Sequence, residues 1–367
     1  MSHIAKLTSI AAAGTLVLTG CAANEAAPSE TTDTTALSGT LDGSGASSMA
    51  AGQEAWVAAF QTANPGVTIN YNPTGSGTGR DQFEQGLTFF TGSDSSFKDE
   101  ELATPHPNCS PADGPVFEFP IWISPIAVVF NLEGITSLNM TADTIAQIFT
   151  GEITNWNNPA IAASNPGVSL PNLAITAVHR SDESGTTGNF TDWLAKAAPN
   201  SWVLNGENVG SIEAWPAEFG GEGGQGTSGV ISAVEGGQGT IGYADASRAG
   251  NLGTVAVGVG DAFVPYSAEA AAAIVDVSPL KSGRPETTLA YDLARDTTES
   301  GVYPVVLISY LQGCMDYADD SKAALVKAYA SFIVSAEGQR VAAEAAGSAP
   351  ISDALRQKAQ AIIDQIQ

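Results

Sequence analysis

Three short segments of the chain join glycine to small hydroxyl residues just where a helix is due to begin. They are Gly43-Ser44-Gly45-Ala46-Ser47-Ser48, Gly75-Ser76-Gly77-Thr78-Gly79 and Ser184-Gly185-Thr186-Thr187. The first turn of a helix leaves backbone N–H groups unpaired and carries partial positive charge, so it binds an anion without a formal cation. Glycine lets the backbone approach closely, and Ser or Thr adds a hydroxyl donor. One such segment alone looks like an ordinary N-cap or turn. Three of them in a cation-poor chain point to an oxyanion. Arg180 sharpens the point: between Lys6 and Arg180 the only Lys or Arg residues are Arg80 and Lys98, and Arg180 directly precedes Ser181-Asp182-Glu183-Ser184-Gly185-Thr186. Its planar fork suits two oxygens of a tetrahedral oxyanion. Asp182, two residues on, stands where it can hold that fork. The competing reading is an exposed Arg–Asp pair worth less than about 1 kcal/mol.

These residues need elements to carry them. Apolar spacing predicts a helix over 48–63, with Met49, Trp56, Val57 and Phe60 near one face and Asn64-Pro65-Gly66 as its stop. Residues 67–71 alternate as a strand, and the Gly75–Gly79 turn opens a second, short helix. Strands are expected over 121–130 and 173–178, and helices over 143–149, 187–197, 321–346 and 351–366. The stretch 206–239 is glycine-rich and weakly periodic, which reads as a surface loop. Strands alternating with helices argue for α/β architecture with mostly parallel sheets. Arg180 then lies just past the strand 173–178, and open α/β sheets bind ligands beyond the carboxyl ends of their strands.

The N-terminus reads as an address label. Lys6 precedes a short apolar run from Ile10 to Leu18, too short to span a bilayer but suited to a secretory signal. Leu18-Thr19-Gly20-Cys21 then resembles the bacterial lipobox, in which the cysteine is lipidated, a plain signal peptide with a chance cysteine being the alternative. Residues 22–36 are rich in Ala, Ser, Thr, Glu and Pro, a composition that cannot bury enough surface to fold and serves as a flexible tether. No other stretch is long and apolar enough to cross a membrane. About 330 residues remain, enough for two domains of ordinary size. In an oxidising compartment Cys109 and Cys314 are expected to bridge, two separate buried thiols being the alternative. A metal site is not expected, since only His106 and His179 follow the signal and neither has ligand-like spacing to the cysteines. The net charge of −25, from 14 Lys and Arg against 39 Asp and Glu, excludes nucleic acid of the usual kind, which needs a basic face.

Arg180-Ser181-Asp182-Glu183-Ser184-Gly185-Thr186 resembles the Arg-x-Asp-x-Ser-Gly-Thr motif of the phosphate-binding proteins that serve high-affinity phosphate ABC importers. The likeness runs along nearly the whole mature chain. Gly43-Ser44-Gly45-Ala46-Ser47 resembles the family's opening loop. Ile148-Phe149-Thr150-Gly151 to Trp156-Asn157-Asn158-Pro159 resembles its helix-and-turn signature, followed by Asn165-Pro166-Gly167. Trp215-Pro216, Gly239-Thr240-Ile241-Gly242-Tyr243 and Ala349-Pro350 fall in family order. The resemblance implies a two-lobe periplasmic-binding-protein-like (type II) α/β fold with two interlobe crossings, near 119–126 and 301–306. It divides the chain into a lipoprotein signal peptide at 1–20, a tether at 21–36, lobe I at 37–119 plus 306–367, and lobe II at 120–305. It also implies a monomer without a cofactor, anchored through Cys21, that delivers inorganic phosphate to the permease subunits of the importer.

Carried over by residue, the resemblance assigns phosphate binding to Ser47 through hydroxyl and backbone, Ser48 through its backbone N–H, Ser76 through its hydroxyl, and Asp94. From the second lobe it assigns Arg180, Ser184, Gly185 and Thr186. Asp94 is informative because an ionised carboxylate only accepts hydrogen bonds. It can bond a ligand that still carries a proton, as phosphate does near neutral pH, whereas sulfate would set lone pairs against it unpaired. The chain departs from the family in several places: Ser47-Ser48 replaces Thr-Phe, Ser76-Gly77-Thr78-Gly79 replaces Ser-Ser-Gly-Gly, and Ser95-Ser96 replaces Ala-Pro. Three other readings stand beside this one. The first is an exported hydrolase with His179 as base, though the chain has no Gly-x-Ser-x-Gly elbow. The second is a binding protein for sulfate, molybdate or another oxyanion, and the third a sensor or adhesin that keeps only the scaffold.

Overall fold

A computed structural model describes residues 36–367; the signal-like segment 1–20, the lipidation candidate Cys21 and tether residues 21–35 lie outside the described residues. The chain opens with β1 (Gly39–Gly45), α1 (Ala50–Ala63), β2 (Val67–Asn72), α2 (Ser76–Glu84), β3 (Phe90–Ser93) and α3 (Asp99–Ala103). Next come β4 (Val116–Phe130), β5 (Ser137–Met140), α4 (Ala142–Phe149), α5 (Pro159–Ser164), β6 (Thr176–Arg180) and α6 (Gly185–Ala197). There follow β7 (Val203–Leu204), β8 (Glu207–Asn208), β9 (Glu222–Gly224), α7 (Gly226–Gly236), β10 (Thr240–Asp245), β11 (Gly253–Val259), β12 (Ala262–Val264) and α8 (Ala268–Asp276). The chain closes with β13 (Val306–Cys314), α9 (Asp320–Val334), α10 (Ala336–Ala346) and α11 (Asp353–Ile363).

The fold is α/β and two-lobed, and one strand belongs to both halves. The main sheet runs β2-β1-β3-β13-β4-β10-β6-β9, with β11 beside β4, β5 and β12. All fifteen residues of β4 are buried. Val116 to Pro125 pair with β13, and Ile126 to Phe130 pair with β10. Proline cannot donate to a ladder, and both prolines of β4 sit at irregular points. Pro120 faces Tyr310 where the register shifts, and Pro125 lies at the changeover of partners. The sheet is mixed rather than mostly parallel: β1, β2 and β3 are parallel, as are β10, β6 and β9, but β4 and β13 run antiparallel to their neighbours. Alternating strands and helices predicted only the local units. The pairing of β4 with β13 joins segments far apart in sequence and leaves no local trace.

The expected elements form with shifted ends. The strand expected at 121–130 starts at Val116, and the strand expected at 173–178 runs to Arg180. The single helix expected over 321–346 is two, because the Ser335 hydroxyl accepts from the Gly338 N–H at 3.0 Å and starts a new helix there. The largest correction concerns 206–239, which is not one surface loop: it holds β9 and α7. Helix α7 buries Thr227, Val230, Ile231 and Val234, a spacing that one helical face supplies. Its glycines lower helix propensity by roughly 1 kcal/mol each and hid that face. Packing requires at least one glycine nearby, since a Cβ on Gly224 would lie 2.4 Å from the Val230 nitrogen.

Cys109 and Cys314 are bridged, tying the end of β13 to a chain segment 205 residues earlier. Closing so long a loop restricts the unfolded chain, which stabilises the fold by roughly 2–5 kcal/mol. Cys109→Ser with Cys314→Ser should lower the thermal unfolding midpoint by several degrees while leaving ligand affinity within about twofold. Differential scanning calorimetry and an equilibrium titration read the two quantities separately.

Candidate functional site

The N-terminal ends of α2 and α6 and the turn before α1 converge on the Asp94 carboxylate, just after β3. Asp94 is only 3% exposed. Its Oδ1 accepts from the Ser48 and Ser309 hydroxyls, each at 2.7 Å. Its Oδ2 accepts from Ser48 at 2.8 Å and from the Thr186 hydroxyl at 2.9 Å. The Asp94 N–H donates to the Ser76 hydroxyl at 3.1 Å. Burial pushes the Asp94 carboxyl above the ordinary aspartate range, while the hydroxyls of Ser309, Ser48 and Thr186 and the charge of Arg180 pull it back.

Helix α6 can come this close because it begins with glycine. A Cβ on Gly185 would lie 2.7 Å from Asp94 Cβ and 2.7 Å from Ser76 Oγ. Ser184, at the N-cap, is fully buried, and its hydroxyl accepts from the Thr187 N–H at 3.2 Å. Asn189, one turn into α6, donates to the Asp94 carbonyl at 2.7 Å and to the Gly185 carbonyl at 2.9 Å. Arg180 ends β6 with only 2% of its surface exposed. Its Nε donates to Asp182 Oδ1 at 2.8 Å, and its Nη2 also pairs with Asp182. Asp182 Oδ1 further accepts from the Gly226 N–H at 3.0 Å, at the start of α7. Burial alone would raise the Asp182 carboxyl, but the hydrogen bond and charge of Arg180, with the Gly226 N–H, hold it below the usual range. Arg180 is thus fixed along one edge of its fork, and the pair is buried rather than an exposed one.

Of the residues singled out in the sequence, Ser48, Ser76, Asp94, Gly185 and Thr186 meet directly, with the charge of Arg180 acting on Asp94. Ser48 brings its hydroxyl to the carboxylate, a role not expected of it. Ser47 turns elsewhere: its hydroxyl accepts from the Thr227 N–H at 3.0 Å and pairs with the Thr227 hydroxyl at 3.1 Å, on α7. Ser309 was missed. Its only trace is a lone hydroxyl between the apolar runs Val305-Val306-Leu307-Ile308 and Tyr310-Leu311, and a buried polar group needs a partner. His179, the one candidate base, stacks on Trp215 with centroids 4.9 Å apart and its Nδ1 lies 2.8 Å from the Arg180 carbonyl oxygen. A cleft of about 580 Å³ leads from Asp94 past Lys98, Lys196, Lys281 and Arg295.

The assembled chemistry is a set of hydroxyl and N–H donors around one buried acceptor, with a clamped guanidinium beside it. An ionised carboxylate offers about four lone-pair sites. Three hydroxyls reach Asp94, with Ser48 spanning both oxygens, so one further donor can be accepted.

Residues 27–337 match the family model described as a PBP superfamily domain. Phosphate-binding protein PstS 3 of Mycobacterium leprae (strain TN) is 34% identical over 296 residues, covering 79% of this chain and 77% of the relative. Phosphate-binding protein PstS 3 of Mycobacterium tuberculosis (strain CDC 1551 / Oshkosh) is 32% identical over 376 residues, covering 97% of each. Among solved structures, the high-affinity periplasmic phosphate-binding protein PfluDING, bound with phosphate at pH 8.5, superposes with a TM-score of 0.67 at 20% identity, covering 87% of this chain and 92% of that one. The shared fold and the sequence match along nearly the whole length place the chain in the phosphate-binding (PstS) protein family of the PBP superfamily.

Proposed function

We propose that the protein captures inorganic phosphate between its two lobes on the extracytoplasmic side of the cell membrane and delivers it to the permease subunits of an ABC-type importer. The observation that carries this reading is the buried Asp94 carboxylate ringed by hydroxyl donors. The names of the relatives and the phosphate-bound neighbour support the same ligand. In this reading lobe I is 37–119 plus 306–367 and lobe II is 120–305. Ser47, Ser48, Ser76 and Asp94 act from the first, and Arg180, Ser184, Gly185 and Thr186 from the second. Cys21 carries the lipid anchor, and the protein works as a monomer without catalysis.

Recognition follows from who donates and who accepts. The helix N-termini, hydroxyls and Arg180 satisfy the unprotonated oxygens of the ligand. Asp94 accepts the one hydrogen bond that a protonated oxygen offers. Sulfate has no such proton and meets the carboxylate as an unpaired, like-charged contact. The overall charge of −25 does not defeat this, because salt screens distant surface charges beyond about 8–10 Å while the donors act at contact distance.

Calorimetric titration of ligand-free protein should show one phosphate per chain and no heat with sulfate. Asp94→Asn should reduce the preference for phosphate over sulfate by roughly 100-fold, equivalent to about 3 kcal/mol. An unchanged preference would remove Asp94 from specificity, and no phosphate binding by the parent would remove the function.

The sign of a second effect follows from the same bonds. Protonated Asp94 becomes a donor, so the preference for phosphate should shrink as pH falls through its titration. Ser309→Ala removes a hydrogen bond to the ionised form, which raises the carboxyl further. That variant should lose sulfate discrimination at a higher pH than the parent, as read by titrations at a series of pH values.

A further inference from the structure

A second buried charge constellation spans the two lobes away from the ligand contacts. Arg80 lies on α2 one turn after Ser76 and is only 1% exposed. Its Nε donates to Glu101 Oε1 at 2.8 Å, its Nη1 to the Ser93 hydroxyl at 2.8 Å, and its Nη2 to Glu213 Oε2 at 2.6 Å. Glu101 and Ser93 belong to the same lobe as Arg80; Glu213 belongs to the other. The Glu213 side chain is 12% exposed, so the pair is largely sealed from water.

Each partner is tied to its own half of the site. The Ser93 hydroxyl donates to the Ser95 carbonyl at 2.7 Å and accepts from the Ser95 N–H at 3.1 Å, so Arg80 braces both neighbours of Asp94. On the opposite side the Glu213 carbonyl accepts from the Ser184 N–H at 3.0 Å, at the cap of α6. The loop leading to Glu213 is pinned along α6, because the Ser211 hydroxyl donates to the Gly188 carbonyl at 2.9 Å and the Ile212 N–H to the Thr191 hydroxyl at 2.9 Å. Glu213 therefore moves with Ser184 and Thr186, and Arg80 moves with Ser76 and Asp94.

We infer that Arg80 and Glu213 form a closure latch: positioning residues whose ion pair exists only when the lobes are together, and which slows release of the bound oxyanion. The inference rests on the phosphate-capture reading and adds to it a rate-setting contact that touches no ligand. The two carboxylates of Arg80 separate the roles. When the lobes part, Glu101 stays with Arg80 and keeps that buried cation paired, while Glu213 leaves. A pair that forms across an interface governs dissociation more than association.

The test uses Glu213→Gln and Glu101→Gln in the purified protein, with phosphate release followed by stopped flow and association measured separately. Glu213→Gln should release phosphate at least roughly tenfold faster than the parent with its association rate within about twofold. Glu101→Gln should lower the thermal midpoint and leave the release rate within about twofold of the parent. Release at the parent rate from Glu213→Gln, or equal acceleration in both variants, overturns the latch. A parent protein that binds no phosphate overturns the capture reading and the latch with it.

Discussion

The structure depends on housing one largely buried carboxylate, Asp94, at the end of a cleft. Taking a charge out of water is costly unless it is paired or hydrogen-bonded, and Asp94 solves this with hydroxyls rather than with a salt bridge. Ser48, Thr186 and Ser309 come from the turn before α1, from the start of α6 and from β13. Three separate parts of the chain must therefore be correctly placed before the carboxylate is satisfied. The sheet supplies that placement, since β3, which carries Asp94 at its end, pairs with β13, which carries Ser309, in register from Tyr310↔Ser93 to Gly313↔Phe90.

Under the proposed function, the same arrangement lets an acidic protein hold an anion. The guanidinium of Arg180 is committed along one edge to Asp182, and the side chains that contact the Asp94 carboxylate are neutral hydroxyls. Neutral hydroxyls and helix N-termini provide directed donors at contact distance, while Lys98, Lys196, Lys281 and Arg295 line the cleft beyond them. In the proposed function, selectivity comes from a mismatch of donors and acceptors more than from charge. The proposed latch extends the logic to motion: Arg80 is held by Glu101, and its second carboxylate, Glu213, comes from the segment that caps α6.

Much of this was legible in the residues. The order Arg180, Asp182, Ser184, Gly185 and Thr186 encodes a strand end, a clamp and a helix start within seven positions, and local sequence is where such signals are strongest. The two α/β halves and the bridge between Cys109 and Cys314 were legible as well. What escaped was carried by contacts distant in sequence. Ser309 reaches Asp94 across 215 residues and Glu213 reaches Arg80 across 133, and neither pairing has a periodicity to betray it. Helix α7 escaped for a different reason: its glycines depress intrinsic propensity, and it forms because packing of Val230 and Val234 outweighs that cost. The hydroxyl of Ser48 is a third kind of miss. The resemblance gives Ser48 only a backbone role, whereas its hydroxyl reaches the Asp94 carboxylate.

The most direct test of this account is the protonation state of Asp94 in the phosphate complex near neutral pH. Isotope-edited infrared difference spectroscopy on protein with and without phosphate, with Asp94→Asn to assign the bands, would read it. The Asp94 carboxylate stretches should shift on binding but persist, with no protonated carbonyl band appearing. A protonated Asp94 in the complex would contradict it, because the side chain would then be donating to the ligand and could not distinguish phosphate from sulfate.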